Sequence, residues 1–270
     1  MRLSIQHLTR YSYDEPVARG LQRLRLTPKA TAGQRIVEWS MGFEGARVEA
    51  EYDDQNHNRT TLISVVPGTR ELTITCNGVV ETDDHSGVIG RHSGHLPLWH
   101  FLDETAATKP GPRLRQLVAG LPVEDADLAT LHRLSSRVLD EVAYESGHTD
   151  AETSAEEALG RGRGVCQDHA QIFVACARML GVPARYVSGY LMMNDRIEQE
   201  AGHAWAEAHV AGLGWVGFDV SNGISPDPRY VRVATGRDYA EAAPVTGISY
   251  GARDHAMHVR LAVEQQHVGQ

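Results

Sequence analysis

The chain has 270 residues, 41% of them hydrophobic and 23% charged, which supports one large or two modest globular cores. With 26 Lys and Arg against 35 Asp and Glu the formal net charge is −9, so no basic face for nucleic acid is expected. No stretch approaches the roughly 20 apolar residues of a membrane span, and the opening MRLSIQHLTRYSYDEP has no apolar segment behind its charge, which reads as a cytoplasmic protein without a membrane partner.

Up to about residue 82 the apolar residues recur with a period near two. They are Leu3 and Ile5, Leu24 and Leu26, Val37, Trp39 and Met41, Val48, Ala50 and Tyr52, Ile63 and Val65, then Leu72 and Ile74. The turn-like YDEP, TPKATAG, DDQNHN and PGTR separate these runs, and the pattern predicts an N-terminal antiparallel β-sandwich. Residues 83–108 are rich in Gly and His and lack periodicity. They read as a linker, which divides the chain into residues 1–100 and 101–270. His85, His92, His95 and His100 have the spacing of no familiar ligand set, so they read as solvated and no metal or other cofactor is expected.

Beyond the linker the period becomes helical, with Leu114, Leu117 and Val118, then Leu131, Leu134, Val138 and Val142. TSAEEALG offers two overlapping capping boxes, Thr153 with Glu156 and Ser154 with Glu157, and Gly160 as a stop. A helix over 167–180 carries Ile172, Cys176 and Met179 on one stripe and Phe173, Ala177 and Leu180 on the next, ended by Gly181 and Pro183. Strand-like ARYVSGYLM, HAWAEAHV and WVGFDV follow, then an alternating run of Met257, Val259, Leu261 and Val263. This final strand, about 256–264, is free to return to the first domain. The second half is α+β, its helices packed on an antiparallel sheet.

Cys76, Cys166 and Cys176 are scattered and without CxxC spacing, which argues against a disulfide framework or a thiolate metal site. Cys76 in a strand and Cys176 inside a helix read as small buried hydrophobes. Cys166 falls in the first turn of its helix, where free N–H groups and the helix dipole favour negative charge. Gly162 and Gly164 before it permit a close approach of chain or substrate. Asp168 reads as an acid that satisfies N–H groups of the same turn.

A nucleophilic cysteine needs a base and an orienting group, and GHAWAEAHVAGLGWVGFDVSNG offers both in one hairpin. If Ala211, Gly212 and Leu213 form a three-residue loop, Trp205 lies opposite Asp219 and His203 opposite Ser221. His203 and Asp219 then become diagonal neighbours on one face. A four-residue loop would put them on opposite faces. Glu207 shares the His203 face and reads as a polar neighbour. Gly164, Gln167, Trp205 and Trp215 are the candidate lining of a substrate pocket.

TSAEEAL, GRGVCQDHA, GVPARYVSGYL, HAWAEAHV, GWVGFDVSNG and GRDYAEAAPVTG, in that order, resemble the bacterial transglutaminase-like proteins of the papain-like thiol superfamily. HLTRYSYDEPV with LRLTP resembles the β-rich region that precedes the core in that group. The resemblance implies a papain-like transglutaminase core within 101–270 and a triad of Cys166 as nucleophile, His203 as base and Asp219 as its orienter. Two departures stand out: many relatives carry Phe where this chain has His169, and Pro–Thr where it has Val220 and Ser221. The implied activity is thiol-dependent acyl transfer at an amide or peptide bond of a peptide or protein substrate, through a thioester acyl-enzyme. Hydrolysis, as a cysteine peptidase or amidase, is expected ahead of amine transfer. Protein-glutamine transamidation and a non-catalytic peptide-binding module are the alternatives.

Overall fold

The computed structural model describes residues 1–123, 126–252 and 254–266. The period-two pattern of the N-terminal region produces strands that bury alternate side chains. Along Arg2–Val17 the buried positions are Leu3, Ile5, His7, Thr9, Tyr11 and Tyr13, with Val17 at the end. This strand is central in a five-stranded sheet, flanked antiparallel by Thr69–Thr82 and His255–Gln265, with Gln34–Glu44 and Glu198–Gln199 at the edges. A four-stranded sheet of Val245–Tyr250, Arg19–Leu24, Arg59–Val65 and Ala46–Asp53 shares a core with it. Leu24, Ile63 and Val65 meet Tyr11, Leu72, Ile74 and Cys76 there.

Both of these sheets are completed by the C-terminal part of the chain. Val245–Tyr250 pairs with Arg19–Leu24, and His255–Gln265 pairs with Arg2–Val17 through Tyr11 opposite Met257. The final alternating run therefore lies beside the first strand of the protein.

The helices are α1 (Pro112–Leu117), α2 (Leu128–Glu141), α3 (Ala155–Arg161), α4 (Cys166–Met179) and α5 (Tyr239–Ala242). Ser154 caps α3 in a full capping box with Glu157. The stop is Gly162 rather than Gly160, because Gly160 remains inside the helix and the left-handed backbone that closes it falls at Gly162, with φ +64°. Every residue of α4 from Asp168 to Arg178 is buried. Its apolar side chains pack with α1, α2 and α3 against Ala206, Ala208, Val210, Val216 and Phe218 of a third sheet. That sheet has the order Tyr230–Gly236, Ala184–Leu191, His203–Val210, Gly214–Phe218, Val88–Gly90. The protein is thus mostly antiparallel sheet with helices on one face of the third sheet. No helix of the described residues is long and apolar enough to cross a membrane.

Residues 83–108 are more than a linker. Val88–Gly90 adds an edge strand to the third sheet, and the 3-10 turn Leu98–Leu102 packs Phe101 edge-on to Trp215 at 5.1 Å. A three-residue strand is too short for its alternation to register. His92 is correspondingly held rather than solvated: one ring nitrogen lies 2.6 Å from the Leu96 carbonyl and the other 3.1 Å from the Trp215 indole nitrogen.

Candidate active site

Cys166 is the first residue of α4, half-buried, after an extended Val165 with φ −118° and ψ −176°. The local sequence GRGVCQD explains that placement. Asp168 turns back so that Oδ2 accepts the Val165 N–H at 2.7 Å and the Thr149 hydroxyl at 2.7 Å, which is the structural role expected of it. A Cβ on Gly164 would stand 2.6 Å from that same oxygen. Only glycine lets the carboxylate close on the start of the helix.

The hairpin has the three-residue loop. Val210 pairs with Gly214 and Ala206 with Phe218, a register in which Trp205 is level with Asp219. His203 Nε2 lies 2.6 Å from Asp219 Oδ2. The carboxylate is fully buried and accepts further hydrogen bonds from the Tyr230 hydroxyl at 2.6 Å, the Asn222 side-chain amide at 2.7 Å and the Asn222 N–H at 3.2 Å. His203 also shares a side-chain hydrogen bond with Cys166. With Nε2 committed to Asp219, Nδ1 is the nitrogen left for the sulfur.

Charge follows geometry. Burial alone would lower the pKa of His203, but the hydrogen bonds with Asp219 and Cys166 and the charges behind them outweigh it, and the imidazole is pushed up to about 10. Burial likewise works against the Asp219 carboxylate, yet the hydrogen bond and charge of His203, followed by Tyr230 and Asn222, hold it below its ordinary value. At neutral pH the ring is therefore an imidazolium between a carboxylate and a sulfur.

Three side chains around this constellation escaped sequence reasoning. Tyr144 shares a hydrogen bond with Cys166, and burial together with the neighbouring sulfur pushes its hydroxyl up to about 12. It arrives through a two-residue parallel pairing of Ala143–Tyr144 with Arg163–Gly164, too short to leave a pattern. Tyr230 comes from the far edge of the third sheet and carries no local signal. Asn222 had one, since it stands three residues after Asp219 in DVSNG, a spacing at which an Asp side chain caps the following turn. The two sequence departures prove to be partners: the Ser221 hydroxyl donates to His169 Nδ1 at 2.9 Å while Nε2 donates to the Val142 carbonyl at 2.9 Å. Burial lowers the His169 pKa, so a neutral ring ties α4 to the loop that carries Asp219.

Cys166 and His203 open onto a cavity of about 400 Å³. The first strand and the last one wall it with Tyr11 and Met257, and Leu26, Tyr186 and Tyr239 continue the lining. Its one guanidinium, Arg25, is paired with Asp54 at 2.9 Å, and burial lowers the pKa of His7 to about 4. The cavity thus presents apolar and aromatic walls and no unpaired charge among the described residues. Of the expected pocket residues Gln167 lines it and Gly164, Trp205 and Trp215 do not. Gly164 serves the helix start. Trp205 stacks beside His203 with ring centres 6.3 Å apart and meets Tyr230 edge-on at 5.5 Å, so it braces the imidazole from behind. Trp215 lies in a second cavity, beneath the guanidinium of Arg185 at 3.8 Å.

Residues 115–220 match the model of the transglutaminase-like superfamily, and residues 3–81 match that of the bacterial transglutaminase-like N-terminal region. An uncharacterised protein of Mycobacterium leprae is 28% identical over 269 residues, covering 93% of this chain and 94% of that protein. An uncharacterised protein of Mycobacterium tuberculosis is 30% identical over 277 residues, covering 92% and 88%. A crystal structure from Cytophaga hutchinsonii, provisionally named a cysteine protease, has a TM-score of 0.78 at 22% identity and covers 100% of this chain and 92% of that one. The last likeness is one of fold.

Proposed function

The chain belongs to the transglutaminase-like superfamily and carries the bacterial transglutaminase-like N-terminal region, and on that premise we propose that it is a thiol-dependent acyl-transfer enzyme acting on peptide amide bonds. The observation that carries the proposal is the His203 ring, 2.6 Å from Asp219 on one side and hydrogen-bonded to Cys166 on the other. An imidazolium held against that sulfur is placed to serve as the proton donor of an acyl transfer.

In this mechanism the thiolate of Cys166 attacks the amide carbonyl and a carbon–sulfur bond forms. The backbone N–H of Cys166, first in its helix and so without an intrahelical carbonyl, and the Tyr144 hydroxyl are the donors for the oxyanion. His203 gives its proton to the amine as the carbon–nitrogen bond breaks, leaving a thioester. Neutral His203 then takes a proton from water as the oxygen attacks the thioester, and the carboxylic acid leaves with the ion pair restored. Asp219 holds the imidazole in orientation and stabilises its charge throughout. The partial exposure of Cys166 admits water to the acyl-enzyme, which favours hydrolysis over transfer to an amine. The neutral, aromatic walls of the cavity suit a substrate whose acyl side chain is apolar or aromatic.

Intact-mass spectrometry after incubation with a peptide library tests the reading. A mass increment on the wild type that is absent from Cys166→Ala is expected, and no increment and no peptide cleavage with any member would overturn it. Repeating the incubation with an added amine separates hydrolysis from transamidation by the product formed.

A further inference from the structure

The second cavity has about 690 Å³ and lies at the other end of the His203–Val210 strand, where Glu207 shares the His203 face. We infer that it binds a small organic anion, with an oxyanion head group, phosphate or carboxylate, held by Arg185 and Arg232. Both guanidiniums line the cavity and they share a single carboxylate. Glu207, 0% exposed, accepts from Arg185 Nε at 2.6 Å, from Arg232 Nε at 2.6 Å and from Arg232 Nη2 at 2.9 Å. Two positive charges against one leave the buried cluster at +1.

The unused donors make the site specific. A guanidinium offers five N–H groups in a rigid fork. Neither terminal nitrogen of Arg185, nor Nη1 of Arg232, makes a hydrogen bond to any described residue. Arg185 Cζ lies over the Trp215 ring, 3.8 Å from its centre, and this contact with the Glu207 hydrogen bond holds the fork in place for a bidentate acceptor. Lys29 borders the same cavity from the N-terminal region. Its Nζ donates to the Asn56 and His57 carbonyls at 2.8 Å each and to Asn58 Oδ1 at 2.7 Å, while burial and the charges of Arg232 and Arg185 push its pKa down to about 6, so the buried positive charge of the site is that of the two arginines. Arg91 is exposed on the cavity rim. The lining carboxylate, Asp53, faces Arg59 at 3.9 Å and leaves the arginine pair uncompensated. An unbalanced buried cation is costly, and an anion in the cavity removes that cost. Ile89 and Leu96 among the walls accommodate an apolar body behind the head group. Because the whole chain carries −9, this positive potential is local and fits a metabolite-sized anion rather than a polyanion.

The site is separate from the thiol cavity, so it is tested in the full chain carrying Cys166→Ala, by titration calorimetry with pyrophosphate and with citrate at constant ionic strength. Saturable one-to-one binding of at least one probe is expected, and the tighter of the two identifies the head group. Arg185→Met is expected to weaken it by about tenfold or more, the effect of losing a hydrogen bond to a charged group, and Arg91→Glu is expected to weaken it by reversing the charge at the rim, most strongly at low ionic strength. Arg91 is exposed, so Arg91→Glu leaves the buried cluster intact and decides the matter if Arg185→Met does not fold. No saturable binding of either probe up to about 10 mM, or binding indifferent to Arg91→Glu, would overturn the inference.

Discussion

Replacing Glu207 with Gln keeps the shape of the side chain and removes the charge that Arg185 and Arg232 share. Two routes give the size of the effect. Burial alone would raise the Glu207 pKa, but the charges and hydrogen bonds of Arg232 and Arg185 overcome it and hold the carboxyl at about 2, against an ordinary 4.5. At about 1.4 kcal/mol for each pH unit, that difference is on the order of 3 kcal/mol in favour of the ionised form in the folded protein. Removing one partner of a buried ion pair costs about 3–5 kcal/mol by a separate, mutational measure. The two agree, and Glu207→Gln is expected to lower the unfolding free energy by about 3–4 kcal/mol at pH 7. The sign with pH follows from a depressed carboxyl: the contribution is fully present above about 4.5 and is lost as pH falls through about 2. At pH 3 less than half of it remains. Urea denaturation followed by tryptophan fluorescence reads this directly, since Trp215 lies under Arg185. A difference below about 1 kcal/mol at pH 7, or one as large at pH 3 as at pH 7, would refute the picture of Glu207 as the shared counter-ion.

His203 should titrate near pH 10 when its ring is followed by NMR, protonated below and neutral above, and Asp219→Asn should lower that midpoint; a midpoint near 6.5 in both proteins would contradict the proposed ion pair. Tyr230→Phe deprives a buried carboxylate of its 2.6 Å donor and is expected to destabilise the fold by about 1.5–3 kcal/mol in urea denaturation, with a loss under about 0.5 kcal/mol counting against it. Met257 lines the acyl cavity while remaining largely exposed. Met257→Trp should therefore reduce kcat/KM for peptides with aromatic acyl groups by about tenfold or more and leave alkylation of Cys166 by a small reagent unchanged. Equal rates for aromatic and small acyl groups in both proteins would show that the cavity does not select the substrate.

What the sequence determined by itself is what depends on neighbours within one hairpin or one helical turn. The capping box of Ser154 and Glu157, the alternation of Leu3, Ile5 and Tyr11, and the place of Cys166 at the head of α4 all follow from spacing over a few residues. The His203–Asp219 pairing was open in the sequence between two loop lengths, and the three-residue loop of the folded hairpin sets the parity of the two strands and with it the face each side chain takes. The stop at Gly162 instead of Gly160 is an error of the same local kind, since two glycines two residues apart are equivalent until the backbone chooses which one turns left-handed. Tertiary structure decided everything that joins distant segments. Tyr11 meets Met257 across 245 intervening positions, and no local period encodes which strand will lie beside which. For that reason the walls of the acyl cavity, the Tyr230 hydroxyl on Asp219 and the two arginines gathered on Glu207 were invisible in the chain. Trp215 went to the second cavity for the same reason, since its neighbour is set by the 3-10 turn and the edge strand that residues 83–108 supply. Parity along a strand specifies the face on which a side chain emerges; what it meets there depends on packing between segments that share no local pattern.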